Sequence, residues 1–60
     1  MKCNVFYEVY DENGNLHTAI RTLELLGNDL DDNIIYFEAG RELNEIFPGV
    51  SIKVIDIVEL

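Results

Sequence analysis

The fold is decided by residues 3–25, CNVFYEVYDENGNLHTAIRTLEL. The first residues of this stretch are β-branched and aromatic, a composition that is typical of strands. Asn13-Gly14 is the strongest short hairpin signal, because a type I′ turn needs a positive φ at both of its central residues. The stretch therefore predicts one strand over residues 3–10 and a second strand over residues 15–25.

The rest of the chain predicts a helix and a third strand. Acidic residues over 29–33 can cap the first N–H groups of a helix and complement its dipole. Apolar residues then recur at helical spacing until Pro48-Gly49, which ends the helix. Residues 50–60 are rich in Val and Ile and predict the last strand. The expected fold is a single α+β domain over residues 1–60, a three-stranded, mostly antiparallel sheet with one helix packed on one face (ββαβ) and the first strand in the centre. A competing interpretation makes residues 18–26 helical.

A two-residue turn at Asn13-Gly14 also predicts the register of the hairpin. Tyr10 would pair with His17, and Phe6 with Arg21. The face expected to pack on the helix consists of Cys3, Val5, Tyr7, Val9, Leu16, Thr18, Ile20, Thr22, Val50, Ile52 and Val54. The face expected to be open consists of Phe6, Glu8, Tyr10, His17, Ala19, Arg21, Leu23, Ile55 and Ile57. Gly40 inside the helix suits a close approach to the sheet, since glycine there costs about 1 kcal/mol relative to Ala.

The open face of the predicted sheet carries more apolar surface than a soluble monomer usually exposes. One interpretation is a contact surface, for a homodimer or for another protein, with Phe6, Tyr10, Ile55 and Ile57 as the self-association residues. The other is a β-bulge near Val54-Ile55, which would turn Ile55 and Ile57 inward and leave an ordinary exposed face.

Charge narrows the classes of partner. The chain has twelve carboxylates and four Lys or Arg, a formal net charge of −8. Binding to phosphates needs clustered cations, whereas the cations of this chain are scattered. We therefore expect no direct contact with nucleic acid or with a membrane, and a basic protein as the natural counterpart. A lone cysteine and the lack of a long apolar run predict a cytoplasmic protein.

Catalysis and metal binding are not expected. Cys3 and His17 are the candidates for nucleophile and base, and the predicted hairpin keeps them far apart on opposite faces. Cys3 is expected in the core, and His17 is expected to stack on Tyr10. Residues 11–15 and 29–33 offer oxygen ligands but lack the glycine and glutamate of a calcium loop at its sixth and twelfth positions. They are interpreted as a hairpin turn and a helix cap, so we expect no enzyme, no cofactor and no metal site.

The carboxylates concentrate on the helix and the residues before it. Phe37 and Ile34 fall roughly opposite the predicted core stripe of the helix, beside some of these acids. An apolar anchor with an acidic rim is a pattern found at interfaces. The predicted partner-binding residues are Asp29, Asp31, Asp32, Phe37, Glu38, Glu42 and Glu45. The alternatives are a solvated acidic face and, for Phe37 and Ile34, helix fraying or packing against the chain termini.

In length, acidity, α+β character and its single cysteine, the chain is similar to the small inhibitors that phages and mobile elements use against host nucleases, including anti-CRISPR proteins and DNA mimics. The similarity is one of composition and carries over no functional residue. It implies a non-catalytic binding protein in the cytoplasm, of the host cell if the chain is phage-encoded. Its partner would be a basic protein such as a nuclease or nucleoprotein effector. The alternative hypothesis is a small homodimeric structural or regulatory domain that associates through its open sheet face.

Overall fold

The computed structural model describes residues 1–26 and 32–60, with side chains from residue 33 onward in the second range. The elements are β1 (Lys2–Tyr10), β2 (Leu16–Glu24), α1 (Asp32–Ile46) and β3 (Ile52–Glu59). The strands form one sheet in the order β2-β1-β3, and β1 is antiparallel to both neighbours. The predicted ββαβ fold with a central first strand is confirmed, and the helical interpretation of residues 18–26 is wrong.

Asp11 organises the loop between β1 and β2. The backbone N–H of Gly14 donates to Asp11 O at 3.0 Å, and that of Asp11 donates to Asn15 O at 2.9 Å. Asp11 Oδ1 also accepts hydrogen bonds from the backbone N–H groups of Asn13 and Asn15, both at 2.9 Å. Gly14 has a φ of +81°. The connection is therefore a β-turn followed by a residue with positive φ, which is a three-residue loop and not the predicted two-residue turn.

The longer loop shifts the register of β2 by one residue from the prediction. Tyr10 lies opposite Leu16 and Phe6 opposite Ile20, so the predicted pairs with His17 and Arg21 are wrong. Because side chains alternate along a strand, this shift exchanges the two faces of β2. The residues that lie on the helix side, contrary to the prediction, are His17, Ala19, Arg21 and Leu23. The residues that lie on the open side, contrary to the prediction, are Leu16, Thr18, Ile20 and Thr22.

Burial of leucine favours the observed register. Leu23 is almost fully buried and Leu25 fully buried against the core, and each such side chain contributes about 1.5–3 kcal/mol relative to exposure. The predicted register would instead have directed Thr18 and Thr22 at the helix, where their hydroxyl groups need hydrogen-bond partners. Met1 and Leu25 exchange two backbone hydrogen bonds of 2.6 and 2.7 Å, which extends the pairing by one residue.

A β-bulge interrupts the pairing of β3 with β1. The partner residue on β3 changes from Asp56 to Val54, which leaves Ile55 without a partner on β1. The bulge turns Ile57 to the helix side, where it packs against the core. The alternative prediction of a β-bulge near Val54-Ile55 is therefore confirmed, together with the inward position of Ile57. The position of Ile57 on the open face is wrong, and Ile55, which the bulge was expected to turn inward, remains exposed.

Helix α1 packs on one face of the sheet and contacts mainly strand β3. Ala39 and Leu43, which are one turn apart, are fully buried, and Ile35 and Phe47 pack beside them. The backbone N–H of Phe47 donates to Leu43 O at 2.8 Å. Gly49, with a φ of +78°, follows the helix end as predicted. The buried core is formed by Cys3, Val5, Tyr7, Leu23, Leu25, Ala39 and Leu43.

Gly40 lies where the helix approaches β3. An ideal Cβ built at Gly40 would lie 3.9 Å from Val54 Cγ2, which is an ordinary van der Waals distance. The helix therefore comes close to the sheet at this point, but the approach leaves room for a methyl group and does not require glycine.

Candidate interaction surfaces

The outer surface of α1 carries an exposed aromatic ring. The side chain of Phe37 is 75% exposed, and Ile34 is also exposed one turn before it. Arg41 follows one turn later on the same side, since residues three and four apart are neighbours on a helix. Glu45, which is exposed, lies one further turn along. This row, Ile34, Phe37, Arg41 and Glu45, is called the outer helix surface below.

The predicted partner-binding carboxylates differ in their surroundings. Glu38 is half-buried, and its Oε2 accepts a 2.8 Å hydrogen bond from the backbone N–H of Leu26, so Glu38 fastens the end of β2 to the helix. Glu42 is half-buried and Glu45 exposed. Asp29 and Asp31 lie outside the described residues, and Asp32 is described only as the first residue of α1.

The second surface is the open sheet face, the side of the sheet opposite α1. Phe6 lies at its centre on β1, with Ile20 of β2 directly opposite. The side chain of Ile20 is 60% exposed and that of Tyr10 is 55% exposed. The apolar members of this face are Phe6, Tyr10, Leu16, Ile20 and Val58. Leu16, Ile20 and Val58 were not assigned to this face from the sequence. The predicted turn was one residue too short, and the bulge was only one of two alternatives.

Several polar side chains of the open sheet face lie opposite one another in the register of the strands. Thr22 Oγ1 donates a 2.8 Å hydrogen bond to Asn4 Oδ1. Lys2 lies opposite Glu24, and Lys53 lies opposite Glu8.

Asp56 is opposite Phe6 in the register, but its carboxylate makes its hydrogen bonds towards the helix. Asp56 Oδ1 accepts hydrogen bonds from the hydroxyl group of Tyr36 (3.3 Å) and from the backbone N–H of Ile57 (2.9 Å). Because Tyr36 belongs to α1, the carboxylate is directed towards the helix side of the sheet.

The hairpin end contains a His–Asp pair. His17 Nε2 lies 2.7 Å from Asp11 Oδ2. This hydrogen bond, supported by the backbone N–H of Asn15, lowers the pKa of the Asp11 carboxyl group. The predicted stacking of His17 on Tyr10 is wrong, because the register places them on opposite faces of the hairpin.

Cys3 is a core residue, as predicted. Its side chain is fully buried, and burial, helped by the negative charge of Glu59, raises the pKa of the thiol. Cys3 pairs with Leu23 at one end of the hairpin and His17 with Val9 at the other, which separates them by about 20 Å at 3.3 Å per residue. They share a face, contrary to the prediction, but they are far apart as expected.

A groove of about 450 Å³ lies between α1 and β3. Gly40 and Val54 line it together with Phe37, whose ring belongs to the outer helix surface. Arg41 and Asn44 add polar groups along the helix side. The groove therefore extends from the outer helix surface towards the sheet.

No family model, curated protein or solved structure matches this chain. Within the described residues, no helix has the length and apolar character needed to cross a membrane. Nor does that part of the chain hold a group of three or more His, Cys, Asp or Glu side chains placed to bind a metal ion.

Proposed function

We propose that this chain is a small, acidic, non-catalytic binding protein that docks through its helix on a basic protein that handles nucleic acid. The partner would be a nuclease or nucleoprotein effector, and the chain would act as its inhibitor, of the anti-CRISPR or DNA-mimic type made by phages and mobile elements. The place of action would be the cytoplasm, that of the host cell for a phage protein. Opposite charge would speed the encounter, and an apolar anchor would slow release.

The exposure of Phe37 is the observation that carries this proposal. A phenylalanine side chain contributes most to the stability of a small domain when it is buried, yet this ring is 75% exposed. An aromatic side chain bordered by polar groups matches the usual anatomy of an interface hot spot. Ile34 extends the apolar anchor, and Glu42 and Glu45 supply described carboxylates on the same helix.

The position of Glu45 adds an independent argument. Glu45 lies in the last turn of α1, which contains no basic residue. Carboxylates at this negative end of the helix dipole are unfavourable by about 0.3–1 kcal/mol. A charge that opposes the stability of its own helix is better explained by a use outside the fold.

The test compares two charge reversals of equal size. The helix variant is Glu42→Lys with Glu45→Lys, and the control is Glu12→Lys with Glu59→Lys, at exposed positions on the hairpin loop and on β3. Immobilised protein captures a partner from lysate, and the purified partner is then used to measure association rates over a range of NaCl concentrations. The helix variant should associate at least about tenfold more slowly at low salt, with a weaker salt dependence. The control should change the rate much less.

A third variant tests the anchor. Phe37→Ser removes the exposed ring, so it should increase the dissociation rate while leaving the association rate and its salt dependence nearly unchanged. Equal kinetics for the helix variant and its control would mean that the acids only solvate the helix. Unaltered dissociation of Phe37→Ser would remove the anchor from the proposal.

A homodimeric structural or regulatory role is the second candidate function. It is favoured by the exposed apolar side chains of the open sheet face, and it uses residues different from those of the outer helix surface.

A further inference from the structure

We propose that a second copy of this chain covers the open sheet face. The single helix packs on one side of the sheet, so Phe6, Ile20 and Tyr10 meet water on the other side of a monomer. Phe6 and Ile20 lie directly opposite each other, and Tyr10 lies opposite Leu16 further along the same strands. Exposed apolar side chains gathered on one uncovered face mark an interaction site. The inference rests on the second candidate function and deepens it, and it uses a surface separate from the outer helix surface that is proposed to dock on a basic protein.

The charge distribution favours a second copy over a basic partner as the occupant of this face. On the open sheet face two lysines stand opposite two glutamates, the pairs Lys2–Glu24 and Lys53–Glu8. These charges cancel, so the formal net charge of −8 is carried by the rest of the chain. Two copies that approach by their open faces therefore bring neutral surfaces together and keep their acidic surfaces apart. A strongly basic partner would gain little from a neutral face.

The polar groups of the face are suited to burial. Thr22 Oγ1 donates a 2.8 Å hydrogen bond to Asn4 Oδ1, and lysines stand opposite glutamates in the register of the strands. Part of the polar surface is therefore compensated within one copy, which lowers the cost of burying a mixed surface.

The size of the face predicts a modest affinity. Strands of nine residues are about 30 Å long, and three strands span roughly 14 Å, which gives about 400 Å² for each copy before side-chain relief is counted. Two copies would then bury about 1,000 Å² of accessible surface, at the low end for a specific interface. Association should therefore depend on concentration, and it leaves both α1 helices on the outside of the pair.

Sedimentation of two matched variants tests the proposal. Ile20→Glu introduces a charge at the centre of the open sheet face, and Phe37→Glu introduces the same charge on the outer helix surface. Both side chains are mainly exposed, 60% and 75%, so neither substitution should unfold the monomer. The wild type and Phe37→Glu should show a mass that rises with concentration from 6.9 kDa towards twice that value. Ile20→Glu should remain at 6.9 kDa.

The mass of a mixture of two oppositely charged Ile20 variants is the second measurement. Ile20→Lys alone should also be monomeric, and an equimolar mixture with Ile20→Glu should recover dimers because opposite charges then meet across the interface. A wild type that stays at the monomer mass up to millimolar concentration would overturn the proposal. Association that persists in Ile20→Glu but is lost in Phe37→Glu would also overturn it, because the contact would then be the helix. Neither result depends on whether a basic partner exists.

Discussion

Replacement of Gly40 by alanine should stabilise the protein. Glycine in a helix interior is about 0.8–1 kcal/mol less favourable than alanine. The structure adds no penalty, because the new Cβ would lie 3.9 Å from Val54 Cγ2. The methyl group would be partly covered at the edge of the groove between α1 and β3, which adds about 0.4 kcal/mol, half the value of a fully buried methylene. The expected gain in the free energy of unfolding is therefore about 1–1.5 kcal/mol.

Urea denaturation followed by circular dichroism measures this gain. The midpoint should rise with little change in slope, and the melting temperature should increase by roughly 4–8 °C per kcal/mol for a domain of this size. Gly49→Ala is the matched control, since Gly49 has a φ of +78° and no atom within 4 Å of an added Cβ. It should lose about 1 kcal/mol through backbone strain alone. A loss of stability in Gly40→Ala would refute the reasoning, because the helix would then need glycine to approach β3.

Three further substitutions test the core, the loop and the helix end. Leu43→Ala removes a fully buried side chain and should lower the free energy of unfolding by about 2–5 kcal/mol. Circular dichroism should then show that most of a domain this small is unfolded. Leu16→Ala, on the exposed face, is the control and should change the free energy of unfolding by less than about 0.5 kcal/mol. The lowered pKa of Asp11 stabilises the fold at pH values above the ordinary carboxyl pKa of 3.8, and this contribution is lost as the pH falls through the lower pKa of the folded protein. Asp11→Asn should therefore weaken the fall in the free energy of unfolding at acidic pH. The same fall in the variant and in the wild type would contradict this. Glu45→Lys should raise the free energy of unfolding by about 0.3–1 kcal/mol at low salt, and a gain that persists at about 1 M NaCl would show that the helix dipole is not its cause.

The elements of the fold were predictable because each has a strong local signal. β-branched and aromatic residues mark the strands, and Pro48-Gly49 marks the end of the helix. The alternation in β1 placed Cys3, Val5 and Tyr7 correctly in the core, since β1 is the central strand and both neighbours pair with it.

The register of β2 was not predictable from Asn13-Gly14. This dipeptide suits a two-residue turn and a three-residue loop alike, and a difference of one residue exchanges the faces of the strand. The carboxylate of Asp11, which binds the backbone N–H groups of Asn13 and Asn15, was the local signal for the longer loop. The burial of Leu25 in the core is a long-range effect that no short pattern reports.

The outer helix surface was predictable in part. Helical periodicity placed Phe37 and Ile34 on the exposed side, where the structure has them. The periodicity did not reveal that Glu38 binds the backbone N–H of Leu26. That contact depends on where the end of β2 meets the helix, which only the tertiary structure sets.

Nuclear Overhauser effects between differently labelled copies test most directly whether the uncovered side of the sheet is a contact surface. One copy carries ¹³C-labelled isoleucine and the other carries unlabelled side chains, mixed at millimolar concentration. The account predicts intermolecular effects between the methyl groups of Ile20 and the aromatic rings of Phe6 or Tyr10. Their absence, or intermolecular effects only from the methyl groups of Ile34 on the helix, would contradict it.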